Sequence, residues 1–195
     1  MPSAPSAERN REPILAVLRR VLPARGDVLE IAAGTGQHAA WFSAALPGLR
    51  WRPTDRDPAA LAGIDAWCAE HGGDVLPARA LDVHDDDWGV GPVDAVVCIN
   101  MVHIAPWSAT EALARGAARA LGPGGVLYLY GAYKRGGVHT APSNEAFDAW
   151  LKARDPTFGV RDLEAVTATM EARGFALAEV VEMPANNLSV VFARR

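Results

Sequence analysis

Short apolar runs alternate along the chain with stretches of helical period, and glycine, proline or aspartate marks most of the boundaries. The stretch Arg11–Leu22 ("REPILAVLRRVL") sets Ile14, Leu15, Leu18, Val21 and Leu22 on one helical face. Pro13 is expected in its first turn, where no internal acceptor is lost. "DVLEIAA" predicts a strand, and "QHAAWFSAALPG" a helix stopped by Pro47 and Gly48. "LRWRPTD" predicts a second strand ending at Asp55, and "DPAALAGIDAWCAEHGG" a helix with Asp57 as N-cap. "VLPARALDV" reads as a third strand that passes Asp82, and "PVDAVVCIN" as a fourth, apolar enough to be buried on both faces. A helix over "WSATEALARGAARAL" and a "GPGG" turn lead to a fifth strand, "VLYLYGAY". Helices around "SNEAFDAWLKARD" and Asp162–Arg173 precede two last strands, "FALAEVVEM" and "LSVVFAR", joined by "PANN". The pattern predicts an α/β fold with a seven-stranded, mostly parallel sheet covered by helices on both faces. The short final connection requires a C-terminal antiparallel hairpin, because a parallel pair needs a long crossover.

Length and composition narrow the picture. The 195 residues suit one domain spanning 1–195, with no repeat or linker, and residues 1–10 are expected to form a flexible N-terminal segment. Half the residues are apolar and the net charge is −4, which argues against a nucleic-acid partner. Two cysteines, Cys68 and Cys98, make no disulfide framework; no signal-peptide pattern or membrane-length apolar run is present. A soluble cytoplasmic protein with no membrane partner is expected, either monomer or homodimer. The five histidines lack metal-ligand spacing and "HDDDW" lacks a metal-loop pattern, so no metal is expected.

The candidate chemistry starts at "VLEIAAGTGQHAAWF", Val28–Phe42, a glycine loop between a strand and a helix. In a doubly wound sheet such a loop lies at the carboxyl edge, where ligands bind. Gly34-x-Gly36-x-x-Ala39 fits a loose dinucleotide fingerprint, and Asp55 suits ribose hydroxyls of either NAD or S-adenosylmethionine. Glu30 favours the second cofactor. A carboxylate four residues before Gly34 would repel a pyrophosphate, whereas it suits the ammonium and sulfonium of S-adenosylmethionine. Asp82, at the end of strand three, is placed to bind an adenine amino group. The alternative for Glu30 is a partly buried acid that accepts backbone N–H groups.

With "EIAAGTG" as first motif, Asp55 closing strand two, "CINMVH" after strand four and the terminal hairpin, the chain resembles the class I methyltransferases, which have a Rossmann-like fold. "ERNREPIL", "LEIAAGTGQHAAWF", "INMVHIAPW", "LGPGGVLYLYGAY" and "MPANNLSVVF" are similar to a small methyltransferase-like family formerly catalogued as a domain of unknown function. Ala33, where that family commonly has Ser, and "YGAY" in place of a "YGPF"-like stretch are its departures. The resemblance implies S-adenosylmethionine as cofactor, held by Glu30, Ala32, Gly34, Gly36, His38, Asp55, Arg56, Leu81, Asp82, Val83, Asn100 and Met101. In that fold the segment with Arg9 and Asn10 can close over the cofactor as a lid.

The loop "NMVHIAPW" would then face the methyl group. Asn100 can orient the nucleophile, and His103 is the general-base candidate because imidazole titrates near working pH; a loop histidine bonded to backbone is the alternative. Trp107, Tyr130, Tyr133, Asn144, Arg161, Asn186 and Asn187, with His103, are candidates for binding a substrate. The expected activity is methyl transfer to O, N or S of a small molecule, aromatic or heteroaromatic ones included. An NAD(P)-dependent oxidoreductase is the rival enzyme, although "YGAYK" offers its Tyr-x-x-x-Lys spacing on a strand and turn rather than a helix. A non-catalytic cofactor-binding module of the same fold is the second rival.

Overall fold

A computed structural model describes residues 4–195. The elements run α1 (Pro5–Val21), β1 (Gly26–Ile31), α2 (Gln37–Ala45), β2 (Leu49–Asp55), α3 (Pro58–His71), β3 (Arg79–Ala80) and β4 (Val93–Ile99). A 3₁₀ turn (Met101–His103) leads into α4 (Trp107–Ala120), β5 (Leu121–Arg135), β6 (Val138–His139), α5 (Pro142–Arg154), β7 (Arg161–Asp162), α6 (Leu163–Glu171), β8 (Phe175–Met183) and β9 (Asn187–Arg194). The sheet order is β3-β2-β1-β4-β5-β9-β8, with β6 and β7 attached to β5. Strands β1 to β5 are parallel along this path, and β9 runs antiparallel between β5 and β8. The α/β sheet with its antiparallel C-terminal hairpin therefore has the predicted architecture.

Alternation along the strands divides the core. Leu29, Ile31, Val96, Cys98, Leu127 and Leu129 face α4 and α6, while Val28, Ala95, Val97, Tyr128 and Tyr130 face α1 and α2. Buried Ile14, Leu15 and Leu18 dock α1 on the second face, as their spacing predicts. Among the described residues no helix is long and apolar enough to cross a membrane, and no group of three or more His, Cys, Asp and Glu is placed to hold a metal ion.

Four details depart from expectation. Helix α1 begins at Pro5, so residues 5–10 are helical rather than loose; residues 1–3 of that segment lie outside the described residues. Pro13 is consequently inside the helix rather than in its first turn, and Arg9 loses the bond its carbonyl would have received. Strand three shrinks to Arg79–Ala80 plus a bridge from Val75 to Trp51, because Pro77 has no N–H to continue the ladder. The sequence also gave no sign of the β5–β6 hairpin, in which Lys134 pairs with His139.

The two loop glycines differ in what they make room for. Gly36 (φ 84°) lies against α3, where a Cβ would come within 2.6 Å of the Ile64 Cα; Gly34 (φ 60°) faces open space. Gly36 is thus a packing glycine, and of the two only Gly34 has open space at its Cβ. Gly36→Ala should destabilise the fold by about 3 kcal/mol, from overpacking and left-handed strain together. Gly34→Ala should cost about 1 kcal/mol from strain alone. Urea unfolding of the two variants tests the ordering, and equal losses would refute the assignment.

Candidate functional site

The candidate site is built where neighbouring β1 and β4 leave the sheet. Ile31 is level with Cys98, and the residues just past the strands, Ala32 (φ 57°) and Asn100 (φ 63°), are both left-handed. The chain is carried past each turn by a bond to the next strand: Ala33 N–H donates to the Thr54 carbonyl at 2.8 Å, and Asn100 N–H to the Tyr130 carbonyl at 2.8 Å. The loop then reaches Gly34, whose N–H donates to Asp55 Oδ2 at 2.9 Å. Asp55 Oδ1 accepts from Asp57 N–H at 3.0 Å, so one carboxylate shapes both the glycine loop and the start of α3. The remaining carboxylate lone pairs are available to hydroxyl donors. Gln37 Oε1 accepts from the Thr35 hydroxyl and from Ala4 N–H, coupling the loop to the start of α1.

Asp82 lies beyond β3 and accepts from the His84 N–H at 2.9 Å and meets its Nδ1 at 2.8 Å. These bonds, with the charge of Arg56, outweigh desolvation and hold its carboxyl below the usual range. Leu81 and Val83 are buried in the core on either side of it, so as side chains they support the strand end. Arg9 is exposed on α1, whereas Asn10 reaches inward.

Beside the end of β5, Asn10 Oδ1 lies 2.8 Å from His38 Nε2, and the side chains of Asn10 and Asn187 bear on the Tyr130 hydroxyl. One chain of polar groups therefore links α2, α1, β5 and β9. His38 stacks on Phe42, and burial, aided by Arg11, lowers its pKa to about 4. Asn100 stays partly exposed at the tip of β4, and Met101 is buried beneath it.

Several candidates occupy other roles. His103 is fully buried, and burial, aided by Arg161, lowers its pKa to about 3; it does not titrate near working pH as expected. Tyr133 is fully buried edge-on to His103 at 5.0 Å between centroids, so it is not open to a substrate. Arg161 is spent on backbone carbonyls, donating from Nε to Val102 at 2.9 Å and from Nη2 to Ala105 at 2.6 Å. Buried Asn144 donates to the Asn186 carbonyl at 2.9 Å and the Thr140 hydroxyl at 3.1 Å; Asn186 Nδ2 donates to the Ser143 hydroxyl. These two asparagines fasten α5 to the β8–β9 turn. Trp107 opens α4, half-buried against the core with Arg161 above its ring.

Glu30 is 2% exposed, and its Oε2 accepts from the Trp51 indole N–H at 2.6 Å. The acid is neither free toward the site nor bonded to backbone N–H groups; its partner is a side chain on β2 that the sequence did not single out. Burial, partly opposed by the Trp51 bond and aided by the Asp55 charge, raises its pKa from 4.5 to about 7. The folded state therefore holds this proton more tightly than the unfolded chain, and the linked stability is full below pH 4.5 and lost as pH rises through about 7. Glu30→Gln keeps an acceptor for Trp51 and cannot ionise. It should gain stability over the parent with rising pH, by on the order of 3 kcal/mol at pH 8. Urea unfolding at pH 5 and 8 checks this; a gap independent of pH would refute it.

Comparisons with known proteins agree with this architecture. The apo S-adenosylmethionine-dependent methyltransferase SibL is 23% identical with a TM-score of 0.78, covering 96% of this chain and 55% of that one. CalO1, a methyltransferase in calicheamicin biosynthesis solved with S-adenosylhomocysteine, is 19% identical with a TM-score of 0.76, covering 96% and 54%. An O-methyltransferase family 2 protein from Planctomyces limnophilus, in complex with apigenin, is 20% identical with a TM-score of 0.79, covering 97% and 60%. The chain spans little more than half the length of these structures. It shares their Rossmann-like methyltransferase fold. The match to a family model runs over residues 1–194, and the chain belongs to that family, described as a protein of unknown function, DUF938.

Proposed function

We propose that this chain transfers a methyl group from S-adenosylmethionine to an O, N or S nucleophile of a small molecule, aromatic and heteroaromatic acceptors included. The observation that carries the reading is the Asp55–Gly34 bond, which holds a left-handed glycine with open space at its Cβ between buried Glu30 and the N-terminus of α2. That arrangement fits the cofactor. Gly34 admits close approach, the first N–H groups of α2 lack internal partners, Asp55 can accept from ribose hydroxyls and Asp82 from an adenine amine. The SAH-bound state of CalO1 and the apigenin complex, both in this fold, support the cofactor and an aromatic acceptor.

When bound, S-adenosylmethionine supplies an electrophilic methyl group on a sulfonium, and the chain's task is to align and shield. Glu30 contributes negative charge beneath the loop once it loses its proton. Asn100, at the tip of β4, is placed to orient the acceptor with its amide, and the Asn10–Tyr130–Asn187 chain borders the same edge. His103 is neutral, the form a base requires, but it serves only when its ring is uncovered. An acceptor that is already a good nucleophile needs no base at all.

Calorimetry with S-adenosylhomocysteine, S-adenosylmethionine and NAD tests the reading. Both sulfur compounds should bind and NAD should not; binding of NAD alone would reverse the assignment. At pH 6.5, binding of S-adenosylmethionine should release protons, seen as heats that depend on the buffer's ionisation enthalpy. Glu30→Gln should abolish that dependence and weaken affinity about tenfold, the loss of a modest charge interaction. An unchanged proton count would remove Glu30 from the cofactor site.

A further inference from the structure

The His103 ring makes no hydrogen bond of full geometry, although the Gly159 backbone bears on it and partly opposes the lowering of its pKa. Neither Nδ1 nor Nε2 has a partner, and the ring lies over Gly131, where a Cβ would come within 2.1 Å of Nε2. Its orientation therefore comes from packing against Gly131 and Tyr133 and from the backbone that carries it. The His103 carbonyl accepts from Gly159 N–H at 3.0 Å, and the carbonyls of Val102 and Ala105 accept from Arg161. The segment 159–161 thus clamps the turn that carries His103, and something has to hold its Gly159–Val160 end, since the pairing of Tyr133 with Arg161 anchors only the far end.

Asp148 on α5 does so. It is 5% exposed, and its Oδ1 accepts from Val160 N–H at 2.8 Å. Gly159 lets the carboxylate this close, since a Cβ there would lie 2.8 Å from the same oxygen. The other oxygen, Oδ2, faces Lys152 Nζ at 2.6 Å, His139 Nε2 at 3.3 Å and Lys134 Nζ at 3.6 Å. Desolvation opposes ionisation, but the Lys152 bond, the Val160 N–H and the nearby cations outweigh it and keep the carboxyl below its usual range. The two oxygens divide the work. Oδ2 ties α5 to β5 and β6, which any cap contact could do, whereas Oδ1 grips the strand that clamps the His103 turn.

We propose that Asp148 is the positioning residue of the His103 turn, acting through Val160 and Gly159 to keep the imidazole buried against Gly131 and Tyr133. This rests on the reading that His103 belongs to the acceptor side of the methyl-transfer site. Arg161 and Asp148 are the charged groups that bear on His103, of opposite sign, and Tyr133 packs against its ring. Loss of Asp148 frees the Gly159–Val160 end of the clamp, while Arg161 stays paired with β5, and lets the ring reach water.

The test is a nuclear magnetic resonance titration of the His103 ring with amide exchange at Gly159, in the full chain loaded with S-adenosylhomocysteine. In the parent the ring should not titrate between pH 5 and 8, and Gly159 should be protected. Asp148→Asn turns its single carbonyl oxygen toward the cations and presents an NH₂ to Val160. It should lower Gly159 protection at least tenfold and bring the His103 titration into that window. Lys152→Met, which spares Oδ1, should change neither. Gly159→Ala, which displaces the same oxygen without changing charge, should reproduce the Asp148→Asn result and serves if that variant does not fold. An unchanged ring titration in a folded Asp148→Asn protein, or an equal effect from Lys152→Met, would overturn the proposal. Failure of the parent to bind S-adenosylhomocysteine would count against the cofactor reading instead, and the ring titration of the unloaded chain would still decide the role of Asp148.

Discussion

The site depends on two adjacent parallel strands leaving the sheet at the same level. β1 and β4 are hydrogen-bonded neighbours, and each turns away within one residue, at Ala32 and Asn100, so that their following loops diverge. Neither residue is glycine, so each left-handed turn costs about 1 kcal/mol, less for asparagine. The cost is met by the bonds from Ala33 to Thr54 and from Asn100 to Tyr130, which continue the ladder past the turn. The other non-glycine residues with positive φ among those described, Ala185 and Asn186, join β8 to β9 at the same edge. Backbone strain is thus gathered along the edge where the ligand is proposed to sit, as is common at functional sites.

The edge is also divided by charge. Its β1–β3 half carries carboxylates: Glu30 beneath the loop, Asp55 bonded to it and Asp82 beyond β3. The β4–β9 half carries neutral groups: Asn100, Asn10, Tyr130, Asn187 and the two depressed imidazoles, His38 and His103. Of the cationic side chains on the β4–β9 half, Arg161 is committed to carbonyls and Lys134 and Lys152 face Asp148, while Arg56 lies beside Asp82 on the other half. Such a division suits a cofactor that brings its own positive charge and an acceptor that need not bring any.

Most of the fold was legible because it follows from periodicity. The apolar runs of β1, β4 and β5, the Asp57 cap and the short "PANN" link each state their structure within a few residues. Of the candidate site, placement was legible where it follows from such an element, as for Asp55 at the end of β2 beside the glycine loop. It was not legible where a role depends on burial or on a distant partner. Glu30 reads as a ligand-facing acid, but its bond to Trp51 spans 21 residues and crosses strands. His103 reads as a titrating imidazole until the fold covers it. Asp148, four residues before Lys152, has the spacing of an ordinary surface pair on a helix. Only the return of Val160 and the β5–β6 hairpin shows it to be buried, and the nearest sequence signal was its place between Phe147 and Leu151.

The insertion between β5 and β8 is held together differently from the rest of the molecule. The two faces of the sheet bury broad apolar clusters, whereas α5 and the 158–160 segment rest on a small one, Ala132, Leu151 and Val160 with Phe147 and Phe158 beside it. Polar contacts make up the difference: Asp148 with its cations, and Asn144 and Asn186 across to the β8–β9 turn. Such contacts are directional and give little net stability each, so this segment opens at lower free energy than the sheet beneath it. The same segment covers His103. A buried imidazole and a cover held by hydrogen bonds and ion pairs occur together here, so the segment over His103 can rearrange while the apolar sheet keeps the glycine loop in place.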